Sequence, residues 1–207
     1  MSAMSPQLTL IAWFLLPLWL LVGIADWLCH RATDIEHTTG AKESMIHLLL
    51  FAEVGIPLLG ALFFEVNALI LLALIAGFLL HEATSLWDVS YAVKRRRVTP
   101  FEQHVHSFLE MIPLMLILLF GSDHWDQFRA LVGAGPATAD FSLRWNPAPL
   151  PVAYFATLLV LIALVELAPY LEELWRGLRA NRGAWVPANA RRHPQRDQGF
   201  PRPPAMP

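Results

Sequence analysis

Long apolar segments separated by short polar ones make up most of the first 170 residues. The apolar runs cover residues 8–28, 45–64, 68–80, 111–120 and 151–167. The first, second and fifth approach the roughly 20 residues that an α-helix needs to cross about 30 Å of hydrocarbon. The third and fourth reach this length only by including polar neighbours, residues 81–91 and 101–110 respectively. The pattern predicts an all-α, polytopic bundle of about five transmembrane helices.

Composition supports a membrane location. Hydrophobic residues make up 56% of the chain and charged residues only 15%, with a mean hydropathy of +0.46, which is too apolar for an ordinary soluble domain of this size. Residues 1–10 contain no Lys or Arg, unlike the basic start of a secretory signal peptide, so the first run is expected to remain as an anchor. We assign residues 1–182 to the bundle and 183–207, rich in Pro and Arg, to a disordered cytoplasmic tail.

The basic residues are unevenly distributed between the two membrane faces. If there are five crossings, 13 of the 15 Lys and Arg residues fall on one side, and only Arg129 and Arg144 fall on the other. The positive-inside rule makes the basic side cytoplasmic and puts the N-terminus outside, in what we expect to be a bacterial inner membrane. The run 94–97 is interpreted as part of this topology signal, so no nucleic-acid partner is expected.

Histidines and carboxylates recur at the ends of the first four predicted helices. They fall at the C-terminal ends of the first and third helices and the N-terminal ends of the second and fourth, which meet at the cytoplasmic side of an up-and-down bundle. Pairs four residues apart share a helix face. The candidates are Asp26, His30, Glu43, His47, His81, Asp88, Glu102, His106 and Glu110, together with His37 in the first cytoplasmic loop.

This combination of residue types predicts a metal site. Imidazole nitrogen and carboxylate oxygen bind first-row metals, and helical bundles present such ligands from facing helices. Ionisable groups inside a membrane are costly, and bound cations would compensate their charge. We therefore predict two metal ions. The alternative is that these residues are solvated helix ends joined by hydrogen bonds and ion pairs.

The layout of the histidines resembles that of membrane-bound non-haem di-iron enzymes, the fatty-acid desaturases and hydroxylases. The residues that carry this resemblance are His30, His37, His47, His81, His104 and His106. The family's adjacent histidine pair is missing, and its nearest equivalent is His104-Val105-His106. The resemblance implies two irons, O2 as co-substrate, a lipid or other hydrophobic substrate, and a cytoplasmic electron donor such as ferredoxin or a reductase.

The preferred hypothesis is therefore a membrane-embedded oxidoreductase that hydroxylates or desaturates a hydrophobic substrate. One alternative is a metal-ion or proton-coupled transporter in which Glu53 and Glu166 extend the polar path. Another is a haem-binding subunit that uses two of His47, His81 and His106 as axial ligands. If the protein were a purely structural membrane subunit, the presence of a histidine and a carboxylate at the same end of four successive helices would have no explanation.

Overall fold

A computed structural model describes residues 4–147 and 150–188 of the chain. Within these residues, five helices are long and apolar enough to cross a membrane. We number them spans 1 to 5: Pro6–Ala32, Ala41–Phe63, Ala68–Ala92, Pro100–Asp123 and Val152–Ala180. The protein is therefore an all-helical integral membrane protein, and the predicted fold class is confirmed.

Spans 3 and 4 continue into polar sequence, as their short apolar runs require. Span 3 extends to Ala92. Span 4 begins with a capping box, in which the Thr99 hydroxyl accepts a hydrogen bond from the Glu102 amide and the Glu102 carboxylate accepts one from the Thr99 amide. Pro100 occupies the first helical turn, where its missing N–H costs nothing. The cap fixes Glu102 in the first turn of span 4.

The apolar core fills the half of the bundle that lies away from the polar helix ends. Every span contributes to it from that half. Its most deeply buried members include Ile11, Leu15, Leu58, Leu62, Leu71, Ile112, Leu116 and Phe120. This layer separates the polar ends of spans 1 to 4 from the opposite membrane face.

The two short connections on the polar side pack against each other. The first contains the short helix Ile35–Thr38, and the second covers residues 93–99. Arg96 donates a hydrogen bond to the Thr33 hydroxyl at 3.3 Å, and the Tyr91 hydroxyl donates one to the Thr39 carbonyl at 2.8 Å. We call this side the basic face; that it faces the cytoplasm remains a prediction. On the other side lies the helix Trp125–Leu131, which the hydrophobic pattern did not indicate.

The C-terminal end of span 5 packs against the start of span 2. Beyond span 5, the carbonyl of Trp185 accepts a hydrogen bond from the Lys42 amide at 3.0 Å. Of the tail predicted to be disordered, residues 183–188 are described and 189–207 lie outside the described residues. The contact brings the polar end of span 5 to the basic-face ends of the other spans.

Gly177 permits this close approach, because a Cβ there would lie 2.9 Å from the Ala41 amide nitrogen and 3.1 Å from its Cα. Gly177→Ala is therefore expected to lower the free energy of unfolding by about 1–3 kcal/mol, since backbone atoms must move. Gly55→Ala is the matched control: it also lies in a helix, but a Cβ there meets no atom within 4 Å. Denaturant unfolding in detergent would compare the two, and equal stabilities would contradict the prediction.

Candidate metal centre

A cluster of ionisable side chains lies buried at the basic-face end of the bundle. All five spans and the 93–99 connection contribute to it. Its members are Asp26, His30, Glu43, His47, Asp88, Arg96, Glu102, His106, Tyr170 and Glu173. His30, Glu43, Glu102 and Glu173 have no exposed surface at all. So many charged groups without access to water need partners that balance their charge.

The first half of the cluster forms around His30 at the end of span 1. Its Nε2 atom lies 3.4 Å from Asp26 Oδ2 and 3.9 Å from Glu102 Oε1. Across the bundle, His106 Nε2 lies 2.9 Å from Asp26 Oδ1. Asp26, His30 and His106 each offer a ligand atom within 4.8 Å of the others. We call Asp26, His30, Glu102 and His106 the first half-site.

A second half-site has nearly the same geometry around His47. Its Nε2 atom lies 3.4 Å from Asp88 Oδ2 and 3.9 Å from Glu43 Oε1. The rings of His30 and His47 stack with their centroids 4.2 Å apart, and these two histidines and Glu43 form another group close enough to hold a metal ion. The second half-site, Glu43, His47 and Asp88, thus lies directly beside the first.

Glu173 of span 5 joins the two stacked histidines on the side away from these carboxylates. Its Oε2 atom lies 3.1 Å from His30 Nδ1, and its Oε1 atom lies 3.4 Å from His47 Nδ1. A carboxylate accepts hydrogen bonds, so it favours the tautomer in which both Nδ1 atoms carry the proton. Both Nε2 lone pairs then point into their half-sites. A carboxylate behind a metal-binding histidine commonly sets this orientation.

Arg96 joins the half-sites through their glutamates. Its Nη2 atom lies 2.5 Å from Glu43 Oε1 and 2.6 Å from Glu102 Oε1, and the residue is 1% exposed. Burial alone would lower the pKa of the Arg96 guanidinium, but the charges and hydrogen bonds of the two glutamates raise it above its usual range. Arg96 is therefore a fixed positive charge inside the cluster.

The remaining charge and the ligand spacing fit metal ions. With the carboxylates ionised and the histidines neutral, Asp26, Glu43, Asp88, Glu102 and Glu173 against Arg96 leave four formal negative charges. Two divalent cations would balance them. Two ligand atoms about 2.1 Å from a shared metal are separated by about 3.0–3.4 Å, close to the shorter Nε2–carboxylate distances above. His30 Nε2 in the first half-site and Asp88 Oδ1 in the second are also buried without a hydrogen-bond partner. One metal ion in each half-site would give both atoms a partner.

Three of the sequence-predicted ligands do not join this cluster. His81 Nδ1 lies 3.3 Å from the Leu50 carbonyl. Glu110 accepts a hydrogen bond from the Ser85 hydroxyl at 2.7 Å. In the described part of the chain, neither belongs to a group whose ligand atoms are close enough to hold a metal ion.

His37 is the third, and it lies exposed in the first connection. Its Nδ1 atom is 2.9 Å from Asp34 Oδ1, and this hydrogen bond raises the pKa of His37. It forms a partly exposed group with Asp34 and Glu36, but Arg176 donates hydrogen bonds to the Glu36 carboxylate. The ion pair between Arg176 and Glu36 and the exposure of His37 to solvent account for these contacts without a metal.

Three members of the cluster were missed from the sequence: Arg96, Tyr170 and Glu173. The Tyr170 hydroxyl lies 3.2 Å from Asp26 Oδ2. In span 5, Glu166, Tyr170, Glu173 and Gly177 recur every three or four residues and are all buried on one face, a helical pattern typical of an inward-facing polar stripe. Nothing in the run 94–97 distinguishes Arg96 from its neighbours.

Comparison of the chain with protein-family models, curated proteins and solved structures found no match. The geometry of the cluster is therefore the basis on which a function is inferred.

Proposed function

We propose that this protein is a membrane-embedded oxidoreductase that uses a dinuclear metal centre, with iron as the metal, to hydroxylate or desaturate a hydrophobic substrate. The observation that carries the proposal is the pair of adjacent half-sites, each with one histidine Nε2 atom facing two carboxylates. Glu173 and Arg96 tie the two together on opposite sides. First-row metals are expected at such mixed nitrogen and oxygen ligation.

The orientation of the histidines supports a metal over a cluster of ion pairs. In an ion-pair cluster, protonated histidines would balance the carboxylates directly. His106 does make such a contact, with its Nε2 atom 2.9 Å from Asp26 Oδ1. The Nε2 atoms of His30 and His47, by contrast, lie 3.4 Å or more from their carboxylates, longer than a good charge-assisted hydrogen bond. Space between opposed ligand atoms is what a bound cation requires.

The surroundings of the cluster support chemistry on a substrate that comes from the bilayer. A dinuclear iron centre, when bound and reduced by an external donor, would supply coordination positions for O2 and transfer electrons to it. The protein contributes a site from which water is largely excluded. The His106 side chain is 13% exposed, more than any carboxylate in the half-sites, so we propose that the substrate approaches between spans 1 and 4.

Electrons would come from a separate protein at the basic face, since the described fold is a single helical bundle. Exposed cations on this face include Lys94, Arg97, Arg179 and Arg182. An acidic donor such as a ferredoxin or a reductase would be attracted to them. The apolar core on the far side of the cluster favours this proposal over a transport path through the membrane.

The test begins with metal analysis of the purified protein and of two histidine variants. We expect about two irons per chain without the Soret band of haem. His47→Ala is expected to lose at least half of the bound metal, whereas His81→Ala, whose ring faces a backbone carbonyl, retains it. Protein without stoichiometric metal, or equal losses in both variants, would refute the centre.

Activity is tested separately on the iron-loaded protein. The protein would be reconstituted in membrane lipid with a chemical reductant, and O2 consumption would be followed together with mass spectrometry of the lipid. We expect O2 consumption coupled to hydroxylated or newly unsaturated lipid, and its loss in His47→Ala. A metal-loaded protein that neither consumes O2 nor alters lipid would refute the oxidoreductase and leave a metal-binding protein.

A further inference from the structure

Two cations meet on one aromatic ring at the basic-face end of spans 2 and 3. Lys42 Nζ lies 4.7 Å from the centroid of the Tyr91 ring and 5.6 Å from that of Trp87. The guanidinium carbon of Arg95 lies 4.0 Å from the centroid of the same Tyr91 ring. Both positive charges thus lie within 5 Å of the centroid of one ring, where the ring quadrupole attracts cations.

Neither cation has an acidic partner among the described residues. Four of the described arginines, Arg31, Arg96, Arg144 and Arg176, do pair with carboxylates. No carboxylate lies within ion-pair distance of the Lys42 ammonium or the Arg95 guanidinium in the described structure. Like charges held together without a counter-charge are unfavourable, so this arrangement suits an anionic ligand.

Apolar surface lies directly below the two cations. On span 3, Trp87, Ala83, Leu80 and Ala76 follow one another at helical spacing and are exposed, with Leu80 at 59%. On span 2, Met45 and Leu49 are exposed one and two turns beyond Lys42. Cations above and an apolar surface below match the head group and acyl chains of a lipid.

We propose that Lys42, Arg95 and Tyr91 form a binding site for an anionic phospholipid. The phosphate lies between the two cations, and the acyl chains follow the exposed surface of spans 2 and 3. A lipid satisfies both parts of the site, whereas a free phosphate would satisfy only the charges. The inference is independent of the metal centre, because none of these three side chains belongs to either half-site.

The test is native mass spectrometry of the detergent-purified full chain with added phosphatidylglycerol or with phosphatidylcholine of the same acyl composition. We expect selective retention of phosphatidylglycerol. In the double variant Lys42→Gln/Arg95→Gln, its affinity should fall about tenfold or more because two contacts to the phosphate are lost. The matched control is Arg179→Gln/Arg182→Gln, which removes two exposed cations from the end of span 5 and should change affinity less than about twofold.

Folding is checked with the charge-preserving variant Lys42→Arg/Arg95→Lys, which should retain phosphatidylglycerol. Equal binding of the two lipids would overturn the proposal, as would equal losses in the two double glutamine variants. Displacement of the lipid by excess inorganic phosphate would assign the site to free phosphate and would also overturn it.

Discussion

Arg96→Met is expected to lower the free energy of unfolding of the metal-free protein by about 3–5 kcal/mol, because removing one partner from a buried ion-pair network leaves uncompensated charge. The variant leaves Glu43 and Glu102 facing each other without the guanidinium that both contact. Arg97→Met is the matched control, since Arg97 is exposed and adjacent in sequence. Denaturant unfolding in detergent, after removal of metal with a chelator, would measure both.

Bound metal should reduce the difference in the free energy of unfolding between the Arg96→Met variant and the wild-type protein. Bound cations provide positive charge beside the same two glutamates, so the variant is expected to regain part of its stability when loaded. Arg96→Lys should recover little, because an ammonium cannot reproduce the fork of hydrogen bonds that a guanidinium offers. An Arg96→Met protein as stable as Arg97→Met without metal would show that Arg96 does not compensate the cluster.

Glu173→Gln is expected to weaken metal binding about 10–100-fold, the usual cost of removing a carboxylate behind metal-binding histidines. An amide has one acceptor oxygen and a donor NH2 group, so it can accept from only one of the two Nδ1 atoms and must donate to the other. The second ring then changes tautomer and directs Nε2–H at its half-site. Metal titration of the chelator-treated protein would measure the change.

Glu172→Gln is the control for this prediction. Glu172 is adjacent in sequence, but its side chain is 39% exposed and contacts Arg31 at 3.4 Å on the surface. The Glu172→Gln variant should bind metal with the affinity of the wild-type protein. Equal metal affinity in Glu173→Gln and Glu172→Gln would show that Glu173 does not orient the histidines, while the half-sites themselves would still be tested by His47→Ala.

The bundle and much of the cluster could be predicted because both follow from local spacing. Apolar runs determine the spans, and the pairs Asp26/His30 and Glu43/His47 lie four residues apart on one face. The depth of a residue along its span is harder to predict from the sequence. Seven residues along span 3 separate His81 from Asp88, a distance of about 10 Å along the helix axis. The two share a face, but His81 lies too deep to reach the ligands that surround Asp88.

The contribution of span 5 was missed for a different reason. Its apolar run ends near residue 167, and the following charges resemble an ordinary helix that leaves the membrane. Glu172, Arg176 and Arg179 are at least partly exposed, whereas Glu173 is fully buried. The close packing of Gly177 against Ala41 brings this face against the start of span 2, a tertiary contact that the apolar pattern does not indicate. Arg96 was equally hidden, because a buried arginine within a basic run carries no local signal.

Glu173 is separated from both histidines that it contacts by more than 120 residues of chain. During synthesis, spans 1 to 4 enter the membrane before the ribosome has made the residue that orients His30 and His47. A nascent chain at that stage carries ligands whose ring tautomers are not yet fixed. Assembly of the proposed metal centre would therefore require the last helix, because Glu173 contacts both histidines.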